Sequence, residues 1–458
     1  MKKSINQVTT FNIISTVLLQ GLAFFTAPIF SRLLGTSNYG IVSVYYTWVG
    51  IVTIVFTLQA AGAFAAAKIY IPLEQQEQYQ SSSVSLALVS YVFFSIPTCI
   101  ISYIVGVDGF FIVCLLIQGI TAYMITALNN KFTFELDAFK NMLLSLGVSV
   151  LNIVLSLVLI FSMREEVAYK GRILGMMLST AACGLFAYLY IFRRGKTFYK
   201  KEFWKFTLPI TLPTIFHLLG NLVLAQSDRL MINAMIDQSS TGIYSLAVGF
   251  TSVVLAIYSS LNNAWVPFYY DYTKKHDKES VISHSKNYLE LFTIIICGFM
   301  LLSREVFLVF GGKDFFAGSQ YIPLLALGAF LTFLYSFPVN YEFYHKKTGL
   351  IAIVTVSSAI CNIVLNYFLI NAVGVMGAVI ATVISYFLQF MFHYISAKYV
   401  VGGEFPYHFC LFLPYMAMVV GCCFAVYVLK EMYIVRWTVG VALGVFCVYR
   451  IVRRKTIF

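Results

Sequence analysis

The sequence predicts an all-α polytopic membrane protein with about fourteen transmembrane helices, forming two pseudo-symmetric six-helix lobes around a central cavity plus two extra C-terminal helices. Three observations predict it. Of 458 residues, 60% are hydrophobic and only 11% are charged, where a soluble domain carries roughly 25% charged residues. Apolar runs of about 20 residues, enough to cross roughly 30 Å of hydrocarbon, follow one another with little between them. The first half of the pattern also recurs in the second. Nineteen acidic and 31 basic residues cannot coat the two or three soluble domains this length would otherwise make. A soluble enzyme, a disordered chain and a disulfide scaffold are excluded.

In chain order the predicted spans are 11–34, 41–67, 84–105, 110–130, 142–162, 171–192 and 207–236. The second set is 243–270, 287–310, 320–344, 349–370, 374–397, 407–429 and 433–452. Met1-Lys2-Lys3 begins like a signal peptide. The apolar run behind it is about 24 residues and has no small-residue cleavage site, so a retained helix is expected. Of the 31 Lys and Arg, 22 fall on the side of the N-terminus, including the cluster Arg193, Arg194, Lys196, Lys200, Lys201 and Lys205. Eight fall on the other side, among them Arg32, Arg172, Arg304 and Arg436, and Arg229 lies inside a span. By the positive-inside rule both termini are cytoplasmic. The net charge of +12 thus reports topology and anionic headgroups, not nucleic acid. The nine cysteines lie in or beside apolar stretches with no metal or redox spacing, and read as small packing residues.

The repeat defines the domains. Residues 151–160 (LNIVLSLVLI) match 361–370 (CNIVLNYFLI), Gly175 and Thr180 match Gly377 and Thr382, and Gly40-Ile41-Val42-Ser43 matches Gly242-Ile243-Tyr244-Ser245. The change of offset falls in the loop 161–174. An even number of spans per copy makes the copies parallel, about an axis along the membrane normal. The expected organisation is an N-lobe 1–192, a basic cytoplasmic linker 193–206, a C-lobe 207–398, and 399–458 with spans 13 and 14 and a basic tail.

At the first turn the chain reads Arg32-Leu33-Leu34-Gly35, then Asn38-Tyr39-Gly40. This resembles the R-x-L-G-x-x-x-Y-G signature of polysaccharide-repeat flippases (Wzx type) in the multidrug/oligosaccharidyl-lipid/polysaccharide exporter superfamily. Asp228-Arg229-Leu230-Met231-Ile232 with Gly242-Ile243-Tyr244-Ser245, and Gly374-x-x-Gly377-Ala378, are similar to that family's marks in lobe two. The resemblance spans helices 1–12. It implies a flippase moving an undecaprenyl-diphosphate-linked oligosaccharide from the cytoplasmic to the outer leaflet by alternating access, for surface polysaccharide such as O-antigen or capsule. It further implies a bacterial cytoplasmic (inner) membrane location, a cationic cavity, a monomer embedded in membrane lipid, and a polysaccharide polymerase and glycosyltransferases as partners.

Arginine suits a diphosphate, because its planar fork makes bidentate bonds and stays charged. Arg229 is therefore a candidate cavity residue; it could instead be neutralised by Asp228 or snorkel outward. Arg32, at the end of span one where similar flippases place cavity arginines, either binds substrate or caps the signature turn. Asn221 and Asn262, with Asn263, Gln59 and Gln20, contact sugar or hold helices together. Asp228, Glu290 and Glu342 are candidates for coupling to an H⁺ or Na⁺ gradient or to the membrane potential; for Glu290 and Glu342 the other reading is an interfacial charge beside Lys286 or Lys346. His217 is a possible relay or a hydrogen-bonded helix histidine. Pro28, among the span prolines Pro97, Pro209, Pro213 and Pro338, is the expected hinge.

No nucleotide-binding loop, nucleophile–His–acid set or metal cluster occurs, so no catalytic residue, cofactor or metal is expected. A cation-coupled multidrug exporter of the same superfamily is the first alternative, disfavoured by the absence of an acid from span one. A membrane-embedded polysaccharide polymerase or transferase is the second, disfavoured by the short outer loops. A nonspecific scramblase is a third.

Overall fold

The computed structural model describes residues 5–454; Lys2, Lys3 and Lys455, which enter the charge count above, lie outside them. The described residues form fourteen α-helices and five short 3₁₀ turns, with no strand. Twelve of the helices are long and apolar enough to cross a membrane. This is a multi-pass membrane protein.

The first two predicted spans lie within α1 (Ile5–Phe56), whose 52 residues would reach about 78 Å, more than twice a bilayer core. Gly35, at φ 66° and ψ 178°, interrupts it. That backbone region is essentially closed to residues with a Cβ, so the signature glycine is the turn itself. The helix continues unbroken through Pro28. Span two also ends earlier than predicted. After Phe56 the chain turns through left-handed Leu58 and Gln59, a 3₁₀ turn Ala60–Ala63, and the short α2 (Phe64–Tyr70). Broken backbone in a membrane needs substitute partners. Here the Tyr123 hydroxyl accepts from the Ala61 N–H, while Ser83 donates to the Ala60 carbonyl and Asn130 to that of Ala61.

The next helices are α3 (Gln76–Val105), α4 (Gly109–Phe134), α5 (Ala138–Phe161), α6 (Ala168–Gly195) and α7 (Lys201–Met235). They are followed by α8 (Gln238–Lys274), α9 (Lys278–Gly311), α10 (Ile322–Tyr344), α11 (Thr348–Val373) and α12 (Val375–Tyr399). The last two are α13 (Leu413–Val428) and α14 (Tyr433–Arg454). Four of the scarce acids are spent on N-caps: Asp108, Asp137, Asp237 and Asp277 accept from backbone N–H groups at the starts of α4, α5, α8 and α9. Left-handed Leu136, His276 and Lys346 close α4, α8 and α10, where the N–H of the next residue bonds to a carbonyl five residues back along the chain. α13, with 16 residues, is shorter than its predicted span 407–429. Tyr407 and Phe412 ahead of it are instead buried in aromatic packing.

The chain divides into two compact units, residues 1–230 and 231–458, with the boundary inside α7. In the first unit, Gly171 and Gly175 on α6 lie against the backbone of α5 at Leu159, Ile160 and Ser156. In the second, Gly377 on α12 lies against Leu369 of α11. Gly175 and Gly377 are the glycines paired by the repeat, and each sets one close helix crossing. The second unit is built around α10, whose buried Phe333 stacks near Phe292 at 4.4 Å and Tyr288 at 4.8 Å. Much of the chain's aromatic content is therefore core.

Alanine normally stabilises a helix relative to glycine by about 1 kcal/mol. At Gly377 and Gly175 the sign should reverse, because the new Cβ would overlap helix backbone, costing about 1–3 kcal/mol. Gly444→Ala, with nothing near its Cβ, should melt at or above wild type. Thermal melting of the purified variants tests this, and wild-type melting of Gly377→Ala would refute it.

Candidate functional site

The structure separates the candidate residues. In the second unit, Asn262 of α8 accepts a hydrogen bond from Asn340 of α10 at 3.3 Å, which holds two helices together. Glu290 on α9 pairs at 3.1 Å with Arg450, a buried residue of α14, and not with nearby Lys286. Glu342 is fully buried against His393 of α12 rather than at an interface beside Lys346. In the first unit, Asn221 is exposed on α7 and lies 3.2 Å from His217 one turn earlier. Asp228 is buried, and Arg32 is exposed three residues before the Gly35 break.

Arg229 is half-buried near the end of α7. Its Nη1 donates to Gln226 at 3.4 Å, Gln226 also accepts from Thr47 of α1 at 3.1 Å, and its Nε is buried with no partner. Arg229 and Asp228, as neighbours on a helix, point roughly 100° apart. Sequence reasoning placed Arg172 among the outer-side cations. In the structure it belongs to α6, and its side chain turns into the unit. Its Nη1 donates to Asn152 at 2.5 Å and Ser156 at 2.6 Å, both on α5, and its guanidinium lies 3.8 Å above the Phe30 ring of α1. Tyr39 of the signature lies in the surroundings of both Arg229 and Arg172, and Tyr46 in those of Arg172.

Arg172 of α6 and Arg229 of α7 are thus both held by neutral groups of the first unit. Among the described residues neither has a carboxylate partner. Compare Arg436, which is fully buried but donates to the carbonyls of Leu301, Leu429 and Lys430 and pairs with Glu305. A cation within an apolar slab costs about 2.5–3.5 kcal/mol or more. Asn, Ser, Gln and aromatic faces orient a guanidinium without neutralising it, leaving donors for an anion. The repeat could have flagged Arg172. Asn152 and Ser156 align with Asn362 and Asn366, but Arg172 aligns with Gly374. In the second unit Asn366 donates instead to Asn362 at 3.0 Å, and Asn362 to Ser385 at 3.2 Å. The arginine is specific to the first unit. No group of three or more metal-ligating side chains occurs among the described residues.

Residues 6–272, more than half of the chain, match the family model described as polysaccharide biosynthesis protein. The chain belongs to this family. It is 25% identical over 359 residues to Lsg locus putative protein 1 of Haemophilus influenzae, covering 74% of this chain and 84% of that protein. It is 24% identical over 408 residues to the probable low-salt glycan biosynthesis flippase Agl15 of Haloferax volcanii, covering 86% and 84%. Its fold matches the lipid II flippase MurJ in an inward closed conformation with a TM-score of 0.72 at 15% identity, over 97% of this chain and 99% of that one. An inward-facing multidrug resistance MATE transporter of the MOP superfamily matches with a TM-score of 0.62 at 14% identity, over 84% and 94%. This member of the polysaccharide biosynthesis protein family thus has the fold seen in MurJ and in MATE transporters of the MOP superfamily.

The Glu290–Arg450 pair should behave as a structural tie. Arg450→Met, which strands Glu290, should destabilise the protein by about 3 kcal/mol. Adding Glu290→Gln to it should recover most of that loss with transport intact. A double variant that stays folded but does not transport would return Glu290 to the functional site.

Proposed function

We propose that the chain flips an undecaprenyl-diphosphate-linked oligosaccharide from the cytoplasmic to the outer leaflet of a bacterial cytoplasmic membrane, for surface polysaccharide assembly. The observation that carries this reading is that Arg172 and Arg229 are both held by neutral groups of the first unit, with no carboxylate partner among the described residues. A diphosphate crossing a layer without water needs its hydration replaced by charged donors. Two guanidiniums with no carboxylate partner supply them, and the anion in turn offsets their own cost of burial. The tyrosines Tyr39 and Tyr46 offer faces and hydroxyls to the first sugars. The lipid tail need not enter the protein. Polysaccharide family membership, and relatives and fold neighbours that carry the names of glycan and lipid flippases, favour this cargo.

A drug exporter is the less favoured reading. No Asp or Glu occurs in α1, where a cation-coupled exporter of this superfamily would carry one, and the MATE likeness covers less of the chain than that to MurJ. Both termini lie in the cytoplasm on this reading, as the distribution of Lys and Arg requires.

Depletion in the native host should trap the diphosphate-linked oligosaccharide in the cytoplasmic leaflet, as a membrane-impermeant probe would read. Wild type should restore outward transfer. Arg172→Ala and Arg229→Ala should each reduce the rate at least about tenfold, the loss of one charge-assisted contact of about 1.5–3 kcal/mol. Arg172→Lys, a charge without the fork, should recover it in part. An unchanged leaflet distribution on depletion would overturn the flippase reading; full rescue by Arg172→Ala would remove that residue from the site.

A further inference from the structure

A second polar feature lies deep in the other unit, and the anion site does not use it. Glu342, near the end of α10, and His393, on α12, are both fully buried. Their side chains meet with Nδ1 2.7 Å from Oε2, and the Ser396 hydroxyl donates to Oε1. The other ring nitrogen of His393, Nε2, is buried without a partner. Three other acids of this chain face a guanidinium or an ammonium: Glu305 faces Arg436, Glu290 faces Arg450 and Glu135 faces Lys131. Such pairs keep a fixed charge. Glu342 faces an imidazole instead of a fixed cation.

The charge count gives the pair its property. One proton shared between carboxylate and imidazole makes the pair neutral overall. Without it the interior holds a net negative charge, and with two protons a net positive one. Either change is strongly disfavoured while the site stays dry, so proton exchange requires the contact between α10 and α12 to loosen or admit water. Nothing nearby overrides this. The buried titratable groups on α10, α12 and the elements packed against them are Tyr244 and Tyr269 on α8, Tyr288 and Cys297 on α9, Cys423 on α13, Tyr341 on α10, Tyr394 on α12 and Tyr407 ahead of α13, and the half-buried Tyr335 ring of α10 lies 5.8 Å from that of His393. Those groups are uncharged in the ordinary pH range, while α11 contributes the amides Asn362 and Asn366. The cations Lys346, Lys347 and Lys398 are exposed, and neither Glu342 nor His393 pairs with any of them among the described residues.

An open cleft lies at the neighbouring residues of α10. Tyr341 and His345, one residue before and three after Glu342, line an open cleft of about 390 Å³ together with Thr273, His276, Lys278 and Glu404. The cleft sits among the lysine-bearing connections that follow α8 and α10. Pro338, one turn before Glu342, removes a backbone N–H from α10 and weakens the helix there.

We propose that Glu342 and His393 form a proton-binding site inside the second unit, filled and emptied through the cleft at Tyr341 and His345, whose occupancy sets how firmly α10 and α12 are held together. The inference deepens the transport reading by naming a coupling ion and its seat, and it does not depend on which cargo the first unit binds.

Hydrogen exchange of the full chain in lipid nanodiscs tests it, compared at about pH 5.5 and pH 8.5 to bracket histidine and corrected for intrinsic exchange. In wild type the end of α10 and the facing part of α12 should exchange at least about tenfold faster at the higher pH, while α4 and α5 stay unchanged. Glu342→Gln and His393→Gln should each abolish that pH step, and Ser396→Ala should move its midpoint without removing it. The infrared difference between the two pH values should contain a protonated-carboxyl band that Glu342→Gln removes and Glu305→Gln does not, a signature that a static tie would lack. Wild-type exchange in α10 and α12 that ignores pH would overturn the proposal, whether or not the variants fold. So would a step that persists in Glu342→Gln. A normal pH step in a protein that moves no lipid-linked oligosaccharide would count against the cargo and leave the proton site standing.

Discussion

A chain that spans a membrane must satisfy its polar groups with its own atoms, because no water is available in the hydrocarbon layer. Most of what is irregular in this protein follows from that constraint. Where α1 gives way to the 3₁₀ turn at Ala60, a tyrosine, a serine and an asparagine from α3 and α4 take up the freed backbone. Lys131 is buried on α4 but reaches Gln80 and Glu135. Arg436 spends its donors on three carbonyls and Glu305. Against this accounting, groups that are oriented but left with spare capacity stand apart, and Arg172, Arg229 and the outer nitrogen of His393 are such groups.

The two units solve the same packing problem and then diverge. Each presses a glycine of one helix onto the backbone of its predecessor, Gly175 on α5 and Gly377 on α11, so the crossing is close in both. The polar residues at those crossings also correspond, Asn152 and Ser156 in one unit and Asn362 and Asn366 in the other. The first pair holds an arginine; in the second, Asn366 donates to Asn362 and Asn362 to Ser385. A duplicated scaffold thus carries an anion-attracting group in one copy and neutral ties in the other. The second copy has its own ionisable feature near the far end of α12.

Much of the fold was legible in the sequence, and for stated reasons. Span number follows from composition and run length, since the bilayer thickness imposes the ruler. Gly35 could be read as special from its place in the signature, although only the backbone showed that it, and not Pro28, breaks α1. The candidate site was legible in part. Arg229 stood out because charge within a span is rare. Arg172 did not, because it falls at the edge of a predicted span, where a cation looks like a topology marker. Glu290 and Glu342 looked alike as acids near span ends, beside lysines. Tertiary packing separated them completely, giving one a guanidinium and the other an imidazole.

By itself, then, the sequence determined the class of solvent, the number and order of helices, the duplication and the residues able to carry charge across a membrane. These depend on composition and local period, which neighbours along the chain express. Only the tertiary structure decided which polar groups meet. A helix face chooses its partner from segments tens or hundreds of residues away, and in a medium without water that choice separates a structural tie from a site with donors to spare.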